Sequence, residues 1–383
     1  MTRASFATAA AVVVALTLVG ARPQFAGAPA WKAVADGIEH AGIVGPSPRG
    51  GAWNINALRL DPARVRLDVV RARDRAIGVE TVTSMARRHD ALAAVNGGYF
   101  RTSGDFLGDS TGTLQIDGEL VSEPDRGRAS VGVVRGADAD RLLFGHVVWR
   151  ATIGSGRQSR RIDGVNRPRG PNELVVFTPH FGSAPLTDAT GTEVTVAAGA
   201  VVDVREGAGQ SPIPQDGYVL SGRGKSASWL RSTLTKGARV SLAMTVHPAG
   251  GSDQHQWSAA EDIVAAGPKL ISNGRIEITD ARERMIPGLR NGLHPRTAIA
   301  SLADGRVVLV VVDGRRPPDR VGMTLDELAR VLMELGAREA INLDGGGSST
   351  MVVRGAIVNH PSDAAGERPV SDAIVVRARR PTP

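Results

Sequence analysis

The 383-residue sequence contains no cysteine. Disulfides, thiolate metal ligands and thiol redox chemistry are thereby excluded, and packing and hydrogen bonds must hold the fold. Aromatic residues are scarce, at 4%, and only Lys32, Lys225, Lys236 and Lys269 among the 46 basic residues are lysines. Arginine supplies the rest, as codon bias in a G+C-rich genome would. Net charge is +7, with no block of like charges and no arginine stripe interleaved with aromatics. No nucleic-acid partner is therefore expected. The histidines show no HExxH or similar spacing, and no glycine-rich loop carries the lysine of a nucleotide P-loop. Neither a metal nor a cofactor is expected.

A long apolar run occurs once. Arg3 precedes residues 6–20, all apolar or small, and small residues follow at Gly20, Ala21, Ala26, Gly27 and Ala28. The run falls short of the ~20 residues of a comfortable membrane span. Residues 1–28 read as a signal peptide of a secreted or cell-envelope protein, which leaves no stable membrane span after cleavage. An uncleaved anchor is the alternative.

Beyond a Gly/Pro-rich entry at 45–51, the patterning predicts strands at 53–60 and 65–70, a short helix at 81–89 and a buried strand at 92–95. Residues 122–267 read as a β-rich stretch, a possible subdomain within a domain spanning 45–383. Further on, strands at 296–302 and 306–312 flank Asp304 and Gly305, a two-residue hairpin signal. Thr324 and Glu327 fit a capping box for a helix carrying Leu328, Leu332 and Leu335 on one stripe and stopping at Gly336. A strand at 339–343 follows. The class expected is α+β, a mixed central sheet with flanking helices and a β-rich middle section.

Three apolar strands run into polar residues beside glycine: Asn96 with Gly97 and Gly98, Asp313 with Gly314 and Arg315, and Asp344 with Gly345, Gly346 and Gly347. Any one of these could be a tight turn in which Asn or Asp satisfies only local backbone. Three together favour a shared site. The third continues into Ser348, Ser349 and Thr350, a run of amides and hydroxyls suited to an anion, beside which Asp344 is a candidate acid or base. Arg296, where a strand begins, offers a planar fork for phosphate oxygens or a surface salt bridge. His294, just before Pro295, is a proton carrier or simply a loop residue.

These segments carry a resemblance. The strings Asn96 to Phe100, His294 to Ala298, Val312 to Arg315 and Asn342 to Met351 resemble the successive motifs of phosphodiester glycosidases, and Arg368 to Asp372 resembles that family's closing segment. The resemblance implies a secreted hydrolase that cuts between a sugar's anomeric carbon and an esterified phosphate. The chain lacks the cysteines and membrane-anchoring tail of the animal member. Candidate substrates are therefore sugar-phosphate diesters of cell-wall or capsular polymers.

With the motifs and the chemistry together, Asp344 is the first choice for general base or nucleophile, and Asp313 the second. Arg296, the Gly345, Gly346 and Gly347 amides, Ser348, Ser349 and Thr350 are assigned to the phosphate. Asn96 and Tyr99 are assigned to the sugar. Gly97, His294, Thr297, Arg315 and Asn342 complete the expected binding set. Arg296 and Asp313 are expected opposite each other across the hairpin, on one face. The competing expectations are a secreted binder of anionic glycans without turnover, or a protein attached to exopolysaccharide export. The N-terminal pattern predicts a mature chain starting between Arg22 and Trp31, read by N-terminal sequencing of culture supernatant; intact Met1 in a cytoplasmic fraction would refute it.

Overall fold

The computed structural model describes residues 27–125, 127–250 and 254–379, so nearly all of the expected signal peptide lies outside the described residues. Twenty-five strands and four short α-helices make up the described chain, and the strands assemble into four sheets. The expected α+β class with one mixed central sheet is therefore corrected. The fold is predominantly β, and among the described residues the strands pair antiparallel save Gly164–Val165 with Leu174–Phe177. The short apolar runs, too brief for helices, satisfy their backbone groups across strands instead.

Two sheets position the site. The eight-stranded sheet has the order Lys32–Ala35, Ile38–Pro46, Ala52–Leu60, Val307–Val312, Arg296–Leu302, Ala337–Asn342, Lys269–Ser272 and Arg275–Ile276. One of its faces presents Ala298, Val308, Val310 and Ala340 to Leu328 and Leu332 of the Leu325–Glu334 helix. The other face, with Leu58, Ile299, Leu309 and Ile341, shares a core with Val69, Val95 and Ile374 of a five-stranded sheet. That second sheet runs Ala356–Ile357, Met351–Val353, Ala93–Asn96, Asp372–Ala378 and Val65–Arg71. Its outer face buries Val82, Met85 and Ala86 of the Val82–Arg88 helix. The result is helix, sheet, sheet, helix. The alternation of strand side chains sends each strand's two faces into different cores.

The domain boundary expected at residue 45 falls inside a strand. Ile38–Pro46 pairs along its full length with Ala52–Leu60, so the folded unit begins earlier than the Gly/Pro signal suggests. The strands between 129 and 265 lie in a seven-stranded and a second five-stranded sheet. Val131, Val264 and Phe177 from these sheets enter the same core as the eight-stranded sheet. Among the described residues no helix is long and apolar enough to cross a membrane.

The hairpin departs from its expected register by one residue. Leu302 N–H donates to Arg306 O at 2.8 Å, so the loop comprises Ala303, Asp304 and Gly305 rather than two residues. Gly305 takes φ 86°, the left-handed residue that closes a three-residue loop. Arg296 thus faces Val312, not Asp313, and a shift of one sends neighbouring side chains to opposite faces. Arg296 and Asp313 do not form the expected pair.

The capping box at Thr324 is present in full. Thr324 N–H donates to Glu327 Oε2 at 2.8 Å, and Glu327 N–H returns a bond to Thr324 Oγ1 at 3.2 Å. Thr324 is buried, so its loss strands a helix-end amide away from water. Thr324→Ala is expected to lower stability by about 1–2 kcal/mol in urea unfolding, with Thr324→Ser recovering most of it.

Candidate active site

The site is built on one carboxamide. Asn96, at the end of the Ala93–Asn96 strand and fully buried, donates to Asp344 O at 2.7 Å. Its Oδ1 accepts from Thr297 Oγ1 at 2.8 Å and from Thr350 N–H at 3.2 Å. Three elements distant in sequence are thereby joined. Backbone bonds extend the junction: Asp344 N–H to Gly97 O at 2.9 Å, Leu343 N–H to Thr297 O at 2.8 Å and Gly346 N–H to Pro295 O at 2.9 Å.

The 344–350 loop sits on this junction. Asp344 is half-buried, and Gly345 N–H donates to its Oδ1 at 2.8 Å. Burial pushes its carboxyl up to about 6, against the lowering effects of the Ser348 hydroxyl, the Gly345 amide and the Arg368 charge; the nearby Asp372 carboxyl adds to the rise. A group poised there titrates close to neutrality. The glycines that follow leave room for two cations. A Cβ at Gly346 would stand 2.8 Å from Arg315 Nη2, and one at Gly347 would overlap the Arg368 guanidinium. Arg368 is held by Asp363 through two bonds of 2.7 and 3.0 Å. Arg315 is exposed and has no hydrogen bond or ion pair among the described residues. The glycine loop that follows Asp344 is therefore packed by one anchored guanidinium and, among the described residues, one unpaired one.

Several residues expected to touch substrate have other work. Arg296 is 1% exposed, and its fork is taken up by backbone: Nε donates to Met323 O at 2.8 Å, Nη2 to Leu289 O at 2.7 Å and to Gly292 O at 2.8 Å. Burial lowers its pKa to about 10. It pins the loop before its strand rather than holding a phosphate. Asp313 is buried with Oδ1 accepting from His360 N–H at 2.9 Å and Asn359 Nδ2 at 3.2 Å, and with Oδ2 3.5 Å from Arg320 Nε. Asn359 in turn donates to Ser349 O at 3.0 Å and accepts from Met351 N–H at 2.7 Å. Asp313 braces the exit of the loop through these contacts, with His360 Nδ1 3.3 Å from its Oδ2. The amides of Gly345 and Gly346 are likewise engaged by Asp344 and Pro295, which corrects their assignment to phosphate.

Other expected residues do gather here. Tyr99 donates to Gly267 O at 3.0 Å and accepts from Asn342 Nδ2 at 3.0 Å; burial and the Asp344 charge raise its pKa, keeping the phenol neutral. Asn342 Oδ1 and the hydroxyls of Ser349 and Thr350 are buried with no hydrogen-bond partner among the described residues. Thr297 is buried against Asn96 and supports the site from beneath. His294 is half-buried, and burial with the Arg296 and Arg315 charges lowers its pKa, so it is neutral near pH 7. No group of three His, Asp or Glu among the described residues is placed to hold a metal ion.

Two residues escaped the sequence reading. Asp372 is buried, accepts from Gly98 N–H at 2.7 Å and Ser371 Oγ at 2.5 Å, and its pKa is raised by burial. It supplies a second carboxyl beside Asp344. Arg368 is the anchored cation at Gly347. Both lie in the closing segment, Arg368 to Asp372, whose resemblance was noted; its polar ends framing Pro369 and Val370 were the signal available.

Comparison with known proteins identifies the family of the C-terminal half. The family model for phosphodiester glycosidases matches residues 190–377, which include Arg315, the 344–350 loop, Arg368 and Asp372. The human N-acetylglucosamine-1-phosphodiester alpha-N-acetylglucosaminidase is 35% identical over 129 residues, covering 30% of this chain and 25% of that protein. The Bos taurus enzyme of that name is 36% identical over 103 residues, covering 24% of this chain and 19% of that protein. The chain thus spans a quarter or less of these relatives. A solved structure from Burkholderia pseudomallei K96243, of a protein described as exported, superposes with TM-score 0.73 at 31% identity, covering 85% of this chain and 74% of that one. A hypothetical protein from Synechocystis shares the fold, with TM-score 0.77 at 24% identity, over 92% of this chain and 64% of that one. On these matches, residues 190–377 of the chain form a domain of the phosphodiester glycosidase family.

Proposed function

We propose that the protein hydrolyses sugar-1-phosphodiesters, cutting between the anomeric carbon and the phosphate oxygen, and that it does so as a secreted enzyme on cell-wall or capsular polymers. The observation that carries this reading is Asp344, a carboxyl raised to about 6 within reach of the Arg368 charge, at the head of a glycine loop that Arg315 also approaches. Ionised Asp344 takes a proton from water as the hydroxyl bonds to the anomeric carbon. The carbon–oxygen bond breaks, and its electron pair stays on the departing phosphate monoester. Such a leaving group departs as an anion, so stabilising its charge matters more than protonating it. The two guanidiniums serve that end. Tyr99 serves to position the sugar. Export is supported by the N-terminal run and by the description of the Burkholderia relative.

The test is incubation with a panel of sugar-phosphate diesters, read by mass spectrometry. Release of free sugar with a phosphate monoester is expected. A shift in melting temperature with no product would sink the enzymatic reading in favour of a glycan binder. Since Asp344 must be ionised to act as base, kcat/KM is expected to rise with pH through about 6 and then level. Asp344→Asn is expected to lose activity by roughly a hundredfold or more.

Stability should move the opposite way. The folded carboxyl titrates above its ordinary 3.8, so its contribution is most favourable below that value and is lost as pH rises through about 6. Asp344→Asn is therefore expected to melt a few degrees higher than the native chain near pH 8 and no higher near pH 4, by calorimetry. A variant less stable at both pH values would mean that Asp344 serves only its turn.

A further inference from the structure

A cavity of about 500 Å³ opens beside Tyr99 and is not explained by the chemistry at Asp344. Tyr99 and Arg128 form part of its wall, the Arg128 guanidinium lying 4.8 Å from the ring centroid. Arg128 Nε and Nη1 are buried without a hydrogen-bond partner among the described residues. Unpaired N–H groups of a charged side chain are costly away from water, so the arrangement suits an acceptor that arrives from outside. Arg284 lines the same cavity, exposed and without an ion pair among the described residues. Asp125 is the one carboxylate on the wall, and Ile286 and Leu289 make it partly apolar.

The wall is firmly built. Glu283, fully buried, accepts from Ala129 N–H and Lys269 N–H at 2.9 Å each and bonds His146 Nε2 at 3.0 Å, which fixes the segment carrying Arg284 and Ile286. Arg296 holds Leu289 by its carbonyl. Tyr99 connects the cavity to the reacting centre. Its hydroxyl meets Asn342, two residues before Asp344, while its ring lies against Arg128.

We propose that this cavity is a second anion subsite of the same active site. It takes a phosphate about one sugar unit from the bond cut at Asp344, with the apolar face of that sugar against Ile286 and Leu289. The enzyme then works within chains of repeating glycosyl phosphates rather than on isolated diesters. This rests on the hydrolase reading, but its test does not depend on turnover.

Isothermal titration of the whole chain with inorganic tripolyphosphate, a compact polyanion, is the measurement. Arg128→Met and Arg284→Met are each expected to weaken binding at least about tenfold. A single-phosphate diester should still be cleaved at close to the native rate. Arg284 is exposed, so its variant tests the cavity even where Arg128→Met fails to fold. Equal affinity in the native chain and Arg284→Met, or no binding to the native chain, overturns the subsite. Weakened binding with no diester in the panel cleaved leaves the subsite standing and removes the hydrolase reading; cleavage with unchanged binding does the reverse.

Discussion

Everything at the site hangs from the Asn96 carboxamide. Its amide donates to the Asp344 carbonyl and its oxygen accepts from Thr297 and Thr350, so one planar group sets the spacing of three chain segments. A carboxylate in this place would have no donor for the Asp344 carbonyl, and an aliphatic side chain would leave three buried polar groups unpaired. The geometry of the glycine loop, and with it the approach of Arg315 and Arg368 to that loop, follows from that junction.

The electrostatic design is a balance of opposed signs at close range. Asp344 has the Asp372 carboxyl on one account and the Arg368 charge on the other, with burial outweighing both. Arg368 is itself tied to Asp363, while Arg315 has no ion pair among the described residues. One cation is thus fixed in place and the other can adjust to the ligand. Arg296, by contrast, spends its Nε and Nη2 on carbonyls and serves structure instead. Residue type alone does not separate these cases.

That is also why the sequence was legible in some places and not in others. The Thr324 cap, the stripe of the Leu325–Glu334 helix and the Arg296–Leu302 strand follow from local pattern, and the structure has them as expected. Asn96 and the 344–350 loop stood out because glycine follows a polar residue at the end of a buried strand. The role of Arg296 depended on the hairpin register, and one added loop residue at Ala303 reversed its face. Asp313 looked like Asp344 in sequence, and only the tertiary partners His360 and Asn359 tell them apart. The class was misjudged because short apolar runs at 38–46, 217–222 and 372–378 have weak periodicity, and pairing decides their state.

The Ala93–Asn96 strand lies between Met351–Val353 and Asp372–Ala378, both supplied by the end of the chain. It is a four-residue segment, three of its residues apolar, made early and paired last. Until some 250 later residues have emerged, as the separation of Asn96 from Asp344 requires, both of its edges lack their ladder. Order in this region is therefore a property of the finished polypeptide: closing such distant pairs is slow, and the waiting edges invite association between chains. A chain that crosses a membrane unfolded and folds only on the far side would meet that interval with its full length already present.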